Sequence, residues 1–255
     1  MLRRKNKDKM PEIVFCMPYF LWFFSLLILI HSTVKGQDFH VPWKELHKEI
    51  HHLGIPGFPE WDDYSDRIAE GRDLTLTLAG LNTTNTSTLL IFQKDVKERW
   101  ELKMNGHSIG NLFPIEQSQV TAFSIAPEWL DPIENIFTVH APKAVDDIEI
   151  GDLRWHPDPV EIALDSATVH VEVLEEATLK SIPCRITIVD ERNALFPVHP
   201  MEAEKLTVRP GVLYSGNGKV TFGLSEGNYQ LFASRGFEYS VARYSLKVTK
   251  GLYQN

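Results

Sequence analysis

A chain of 255 residues that is 43% hydrophobic and 24% charged has the composition of a globular protein, which argues against general disorder. The net charge is -8 overall, but residues 1–36 hold six basic and two acidic residues, so the remainder carries 20 basic against 32 acidic, a net -12. An acidic body of this kind argues against nucleic acid and anionic membrane surfaces as partners.

The N-terminus opens with a basic patch, Arg3 to Lys9, followed by an uncharged apolar run, IVFCMPYFLWFFSLLILI, from Ile13 to Ile30. A basic flank before an apolar segment is the pattern of an export signal, with the first residues on the cytoplasmic side. The run is long for a signal peptide and barely long enough to span a bilayer. Residues 1–36 therefore read as either a signal peptide cut before Gln37 or a retained anchor. Membrane contact is expected only through this segment, and the rest is expected to be periplasmic, extracellular or tethered by residues 13–30. Cys16 lies in the apolar run and Cys184 in a predicted strand, so no disulfide between them is expected. Cys184 alternates with Ile186 and Ile188, the pattern of a buried small hydrophobe.

Residues 37–73 read as a short helix and an acidic linker. In PWKELHKEIHHL, from Pro42 to Leu53, Trp43, Leu46, Ile50 and Leu53 recur at helical spacing, with Pro42 at the first turn and Gly54 as the stop. His47 and His51 would share one face of that helix. The pattern is not HExxH and marks no third ligand, so a polar helix face is the expectation and no metal site is assigned. Gly54 to Asp73 is rich in Gly, Pro and acid and reads as a solvated connector, without the spacing of a calcium loop.

From residue 74 to residue 158 the strand period takes over. Leu74, Leu76 and Leu78 alternate with Thr75 and Thr77, Leu89 to Phe92 is a short buried-strand run, and Trp100, Leu102 and Met104 lead to an Asn105-Gly106 hairpin turn. Further strands are expected at Thr121–Ile125, Ile136–Val139 and Ile148–Ile150. Asp146-Asp147 reads as solvated charge in a turn. Asn82-Thr83-Thr84 and Asn85-Thr86-Ser87 are formal glycosylation acceptors.

Residues 159–250 continue in the same manner, with residues 251–255 as a tail. Val169, Val171 and Val173 alternate with an outward His170. The stretch Val220 to Val248 reads as three successive antiparallel strands. Its inward faces are Val220, Phe222 and Leu224, then Tyr229, Leu231 and Ala233, then Ala242, Tyr244, Leu246 and Val248. The fold class expected is all-β: two antiparallel β-sandwich or jelly-roll domains after the apolar segment and the short helix.

Three resemblances follow from particular residues. Asp95-Val96 before Trp100, then Lys103-Met104-Asn105-Gly106-His107-Ser108-Ile109-Gly110, resembles galactose-binding-like jelly rolls, which implies an ancillary ligand-binding or packing domain. Phe222-Gly223-Leu224-x-x-Gly227-x-Tyr229 resembles carboxypeptidase-regulatory-like and other transthyretin-type modules, which are non-catalytic. Pro183 to Asp190, Val208 to Tyr214 and Ala233 to Tyr239 together look like the segment preceding the catalytic domain in exported PHP-type metallohydrolases of the CehA/McbA kind. In that family a metal-dependent hydrolase domain follows, opening on a His-x-His pair. None of the ten histidines here forms such a pair, and Asn255 falls a few residues after Val248, where that domain would begin. The family's metal ligands therefore map to no residue of this chain.

No phosphate loop and no G-x-S-x-G elbow is present. The expectation is an exported scaffold or ligand-binding module without catalytic residues, cofactor or metal, partnered by a metallohydrolase domain or by carbohydrate. Trp129 and Trp155 are the candidate ligand-binding residues, by stacking on sugar faces if exposed. Arg235, Phe237 and Glu238 form a conspicuous polar-aromatic loop and are the candidate interface. The alternatives are a carbohydrate-binding or envelope-structural module, and a metal-dependent hydrolase or a fragment of one.

Overall fold

The computed structural model describes residues 26–33, 42–60, 67–201, 204–249 and 252–254. Most of the expected export segment, residues 1–25 and 34–36, lies outside them, and no helix among the described residues is long and apolar enough to cross a membrane.

The chain is nearly all β, as its period-two patterning requires. The first sandwich is built from β2 (Lys44–Leu53), β3 (Leu74–Ala79), β4 (Ser87–Lys94), β5 (Glu101–Met104), β6 (His107–Asn111), β7 (Gln119–Ile125), β8 (Glu134–His140) and β9 (Ile148–His156). They form two four-stranded sheets, ordered β2-β9-β4-β7 and β3-β8-β5-β6. Leu74, Leu78, Leu102, Met104, Phe137 and Val139 of one sheet meet Leu89, Ile91, Phe123, Ile125, Ile148 and Ile150 of the other in a closed apolar core. The Asn105-Gly106 turn joins β5 to β6 with φ of 50° and 82°, the left-handed pair that a two-residue hairpin of this hand demands.

A short helical turn, α1 (Val160–Ala163), leads into the second sandwich. Its strands are β10 (Ala167–Glu175), β11 (Cys184–Val189), β12 (His199–Pro200), β13 (Leu206–Arg209), β14 (Val212–Ser215), β15 (Lys219–Leu224), β16 (Gly227–Ser234), β17 (Ala242–Thr249) and β18 (Leu252–Gln254). Leu26–Thr33 forms β1, so part of the apolar N-terminal run pairs antiparallel with β10. The sheets run β1-β10-β15-β12 and β13-β14-β11-β16-β17-β18. Val169, Val171, Val173, Cys184, Ile186, Ile188, Phe222, Leu224, Leu231 and Val248 fill the core, as their alternation dictates.

Two expectations are corrected and a third is extended. First, Pro42–Leu53 is not a helix: Lys44–Leu53 is an edge strand paired with β9. Two β-bulges, between Glu45 and His47 and between His47 and Ile50, shift the register. The second lets Leu46 and Leu53, seven residues apart, both reach the first core, which an unbroken alternation forbids. A bulged strand thus imitates helical spacing. Ile50, inward on a helix, is exposed, and Trp43 packs against the other sandwich. Second, β15 and β16 are not a hairpin. The Ser225–Glu226 turn carries the chain from one sheet of the second sandwich to the other, and only β16 and β17 pair. Third, the connector, largely exposed among its described residues as expected, is also stapled to the first sandwich. The backbone N–H of Gly54 bonds to the carbonyl of Gly71, Glu60 and Asp147 exchange backbone-to-carboxylate bonds, and Arg67 pairs with Glu149.

The two sandwiches share a boundary. Strand β4 is buried on both faces. Leu89 and Ile91 point into the first core, while Leu90 and Phe92 join Val120 in the second. The open edge of β7 is capped by the segment at Leu195, through Val120 N to Leu195 O (2.8 Å) and Leu195 N to Ser118 O (2.9 Å). Arg192 reaches Asp152 across the same seam at 3.2 Å, and Arg154 lies over the Phe196 ring.

Candidate functional site

The loop between β16 and β17, residues 235–241, gathers Arg235, Phe237 and Glu238 on one exposed surface. Gly236, at φ 133°, turns the chain, and the backbone N–H of Tyr239 reaches its carbonyl at 3.4 Å. The Arg235 guanidinium lies 5.1 Å from the centre of the Tyr239 ring, and the Tyr239 hydroxyl donates to Glu175 Oε1 at 3.2 Å. The base of the loop is therefore tied to the sheet behind it. Phe237 at its tip is wholly exposed, with Val241 also exposed beside it.

Trp129 ends a 3-10 turn, Pro127–Trp129, and is half-buried at the surface of the first sandwich. Asn105 fixes that turn to the neighbouring hairpin. Its amide donates to Trp129 O and to Asn135 Oδ1, each at 2.8 Å, and its Oδ1 accepts from Ile136 N at 2.7 Å. The Trp129 ring stacks on His107 at 5.4 Å with the planes 5° apart. Trp155 does not join it. It is 7% exposed, packed into the first core between the two sheets, so it presents no face to a ligand.

A polar cluster lies at the β2 edge. His47 Nε2 and His51 Nε2 are 2.8 Å apart, with the rings stacked 14° from parallel. Glu49 brings a carboxylate oxygen to them, and the donor atoms of His47, Glu49 and His51 all lie within 4.8 Å of one another. Glu70 stands behind: its Oε2 is 2.7 Å from His51 Nδ1 and its Oε1 accepts from His52 N at 3.3 Å. Burial lowers the pKa of His47 below the usual histidine range, and His51 beside it lowers it further, against the pull of Glu49 and Glu70. These are the residues that could hold a metal ion. The histidine pair was visible in the sequence, but Glu70 lies nineteen residues from His51 with no local signal to join them.

Asp146 and Asp147 are buried, not solvated. Asp146 Oδ2 accepts from Trp100 Nε1 at 2.8 Å, Glu98 N at 2.9 Å and Lys97 N at 3.2 Å. Burial pushes its carboxyl pKa up, and those three donors pull it down. The role is structural: the carboxylate nails the approach to β5 onto the β8–β9 connection.

Neither a family model nor a curated protein matches the chain. Among solved structures it is similar to the β-glucuronidase of Faecalibacterium prausnitzii (11% identity, TM-score 0.29, 84% of this chain and 47% of that one). It is also similar to the Bifidobacterium dentium β-glucuronidase complexed with coumarin-3-O-glucuronide (11% identity, TM-score 0.30, 86% and 50%). The chain spans about half the length of these structures. At such TM-scores the likeness carries no argument about activity or substrate.

Proposed function

We propose that the chain is a non-catalytic, exported β-sandwich module that acts as a docking scaffold, equivalent to the accessory portion that precedes the catalytic domain of PHP-type metallohydrolases. The observation that carries this reading is the wholly exposed Phe237 on a loop pinned by Arg235, Tyr239 and Glu175. The three segments that resemble that accessory portion also support it. They fall on adjacent strands, β13-β14-β11-β16, of the one sheet from which the 235–241 loop springs. The partner on this reading is a metallohydrolase domain, and Phe237 is the aromatic anchor flanked by Arg235 and Glu238. Anchors of this kind dominate interface energies.

A photo-crosslinking amino acid at position 237 tests it in the exporting cell. The expected adduct is a metal-dependent hydrolase domain, captured at least tenfold less efficiently when Arg235 is replaced by Ala. Turnover of a phosphoester or amide substrate by the purified chain alone refutes it.

A second reading, carbohydrate binding by the first sandwich, rests on Trp129 alone. Its ring is planar-stacked on an exposed His107 that a sugar face would displace. On that reading Trp129→Ala abolishes glycan binding and His107→Ala strengthens it.

A further inference from the structure

The geometry points to a first-row transition-metal site, zinc in the first instance, on the β2 edge, with His47, Glu49 and His51 as ligands and Glu70 as the residue that positions His51. This goes beyond the scaffold reading and does not depend on it.

The donor set has the right chemistry. Two imidazole nitrogens and one carboxylate oxygen suit zinc and its neighbours, whereas calcium and magnesium call for all-oxygen shells. The tautomers follow from the partners. The Glu70 carboxylate can only accept, so a neutral His51 carries its proton on Nδ1 and turns its Nε2 lone pair to His47 Nε2 at 2.8 Å. A carboxylate behind a ligating histidine is the usual device for fixing ring orientation and raising ligand basicity. Without an ion, His47 Nε2–H donates to His51 Nε2. To bind one, His47 moves that proton to Nδ1, and both imidazoles ligate as neutral groups. Tetrahedral zinc, with bonds of about 2.05 Å, holds two nitrogens about 3.3 Å apart, so the pair opens by about half an ångström. Side-chain rotation on an edge strand supplies that.

The backbone is shaped to converge these side chains. The bulges on either side of His47 re-aim the strand at the ligand positions. Gly151 opposite makes the second bulge fit, since a Cβ there would fall 2.0 Å from Glu49 O and 2.8 Å from Ile50 Cα. Glu70 is not a loose surface carboxylate either. Its segment is bonded to the end of β2 through Glu70 N to His52 O (2.8 Å) and Gly54 N to Gly71 O (2.9 Å). The supporting carboxylate is therefore held by backbone bonds to the strand that carries the ligands. Three protein ligands leave a fourth position, on the side where Glu49 is exposed, for water or a donor from a bound partner.

The test is titration of the whole chain, carrying no polyhistidine tag, with Zn2+ and with Co2+, read by calorimetry and by cobalt visible absorption. Expected are one ion per chain, a tetrahedral cobalt spectrum, and no Ca2+ competition. His47→Ala and His51→Ala should each weaken binding at least 100-fold, and Glu70→Gln 10- to 100-fold, while His140→Ala leaves it unchanged. Circular dichroism and the ion-free melting temperature verify that the variants fold, and His47→Gln and His51→Asn stand in where alanine does not. No stoichiometric binding, or binding that survives the His47→Ala/His51→Ala double variant, overturns the site. Loss in both histidine variants with full affinity in Glu70→Gln overturns the positioning role alone. Hydrolysis by the pure zinc-loaded chain, lost with His51→Ala, would sink the scaffold reading and leave this site standing.

Discussion

Strand β4 lends one face to each core, which should make the two sandwiches unfold as one cooperative unit, and Leu90 is the residue with which to test it. Its side chain is fully buried on the face turned to the second sandwich, while Leu89 and Ile91 beside it are fully buried in the first. Leu90→Ala removes three carbons. At about 0.8 kcal/mol for each buried methylene the transfer loss is about 2.4 kcal/mol. The cavity left in a seam held between two rigid sheets raises the cost to about 3–5 kcal/mol. That is a large part of the whole stability of an ordinary domain, about 5–15 kcal/mol. The tryptophans provide a convenient asymmetry once Trp43, which packs against the second sandwich, is replaced by Phe: Trp100 and Trp155 report on the first sandwich, and residues 160–250 contain no tryptophan. The buried thiol of Cys184 reports on the second. Urea unfolding of the protein, in a Cys16→Ser/Trp43→Phe background, is followed by fluorescence and by thiol reactivity. Both midpoints should coincide in the parent and move together in Leu90→Ala. Two separated midpoints in the parent, or a shift seen by one probe only, would refute the shared-core argument.

Other perturbations read other parts of the structure. Gly151→Ala should weaken ion binding at the β2 edge and cost stability, because β-carbon and bulge cannot occupy the same space; unchanged melting and affinity would show that the bulge is not needed. Asp146→Ala strands the Trp100 indole N–H, 1% exposed, and two backbone donors, and should cost about 2–4 kcal/mol by urea titration. Burial raises the Cys184 thiol pKa to about 11. The unfolded thiol ionises near 8.5, so between those values the folded state holds a proton that the unfolded state has lost. Stability therefore falls as pH rises through that window, and Cys184→Ala should flatten the slope in urea titrations at successive pH values.

Where alternation alone places a residue, the sequence was enough. Val169, Val171, Val173, Phe222, Leu224, Leu231 and Ala233 all face the core they were read to face, Cys184 is buried among them, and the Asn105-Gly106 turn is where a left-handed pair of residues had to be. Where two periods coincide, it was not. Spacings of seven residues satisfy a helix, and they equally satisfy a strand that has been broken once by a bulge, so Leu46 and Leu53 could not distinguish the two. Deciding needs the partner strand, and the partner is Gly151, a hundred residues on, whose missing side chain makes the bulge possible. The same blindness hid the buried carboxylates. Asp146-Asp147 has the local composition of a turn in water, and only the tertiary arrival of Trp100, Lys97 and Glu60 makes burial affordable.

The candidate metal site joins both kinds of information. A four-residue interval puts His47 and His51 near one another on a helix, and here it does so on a bulged strand, so the histidine pair was legible whichever element formed. On a helix Glu49, two residues along, would stand about 160° away from that pair. On the strand it joins them, and the count of donors rises from two to three. Two histidines on an exposed helix are a weak chelate, whereas two histidines and a carboxylate on a strand backed by Glu70 supply the three ligands the proposed zinc site calls for, with a coordination position to spare. The error in secondary structure and the missed ligand are thus the same event. Replacing the bulge with regular pairing, by deleting Lys48, should re-aim Glu49 and lower zinc affinity even though every donor residue remains. An affinity that survives the deletion would mean that the donors converge for some reason other than the bulge.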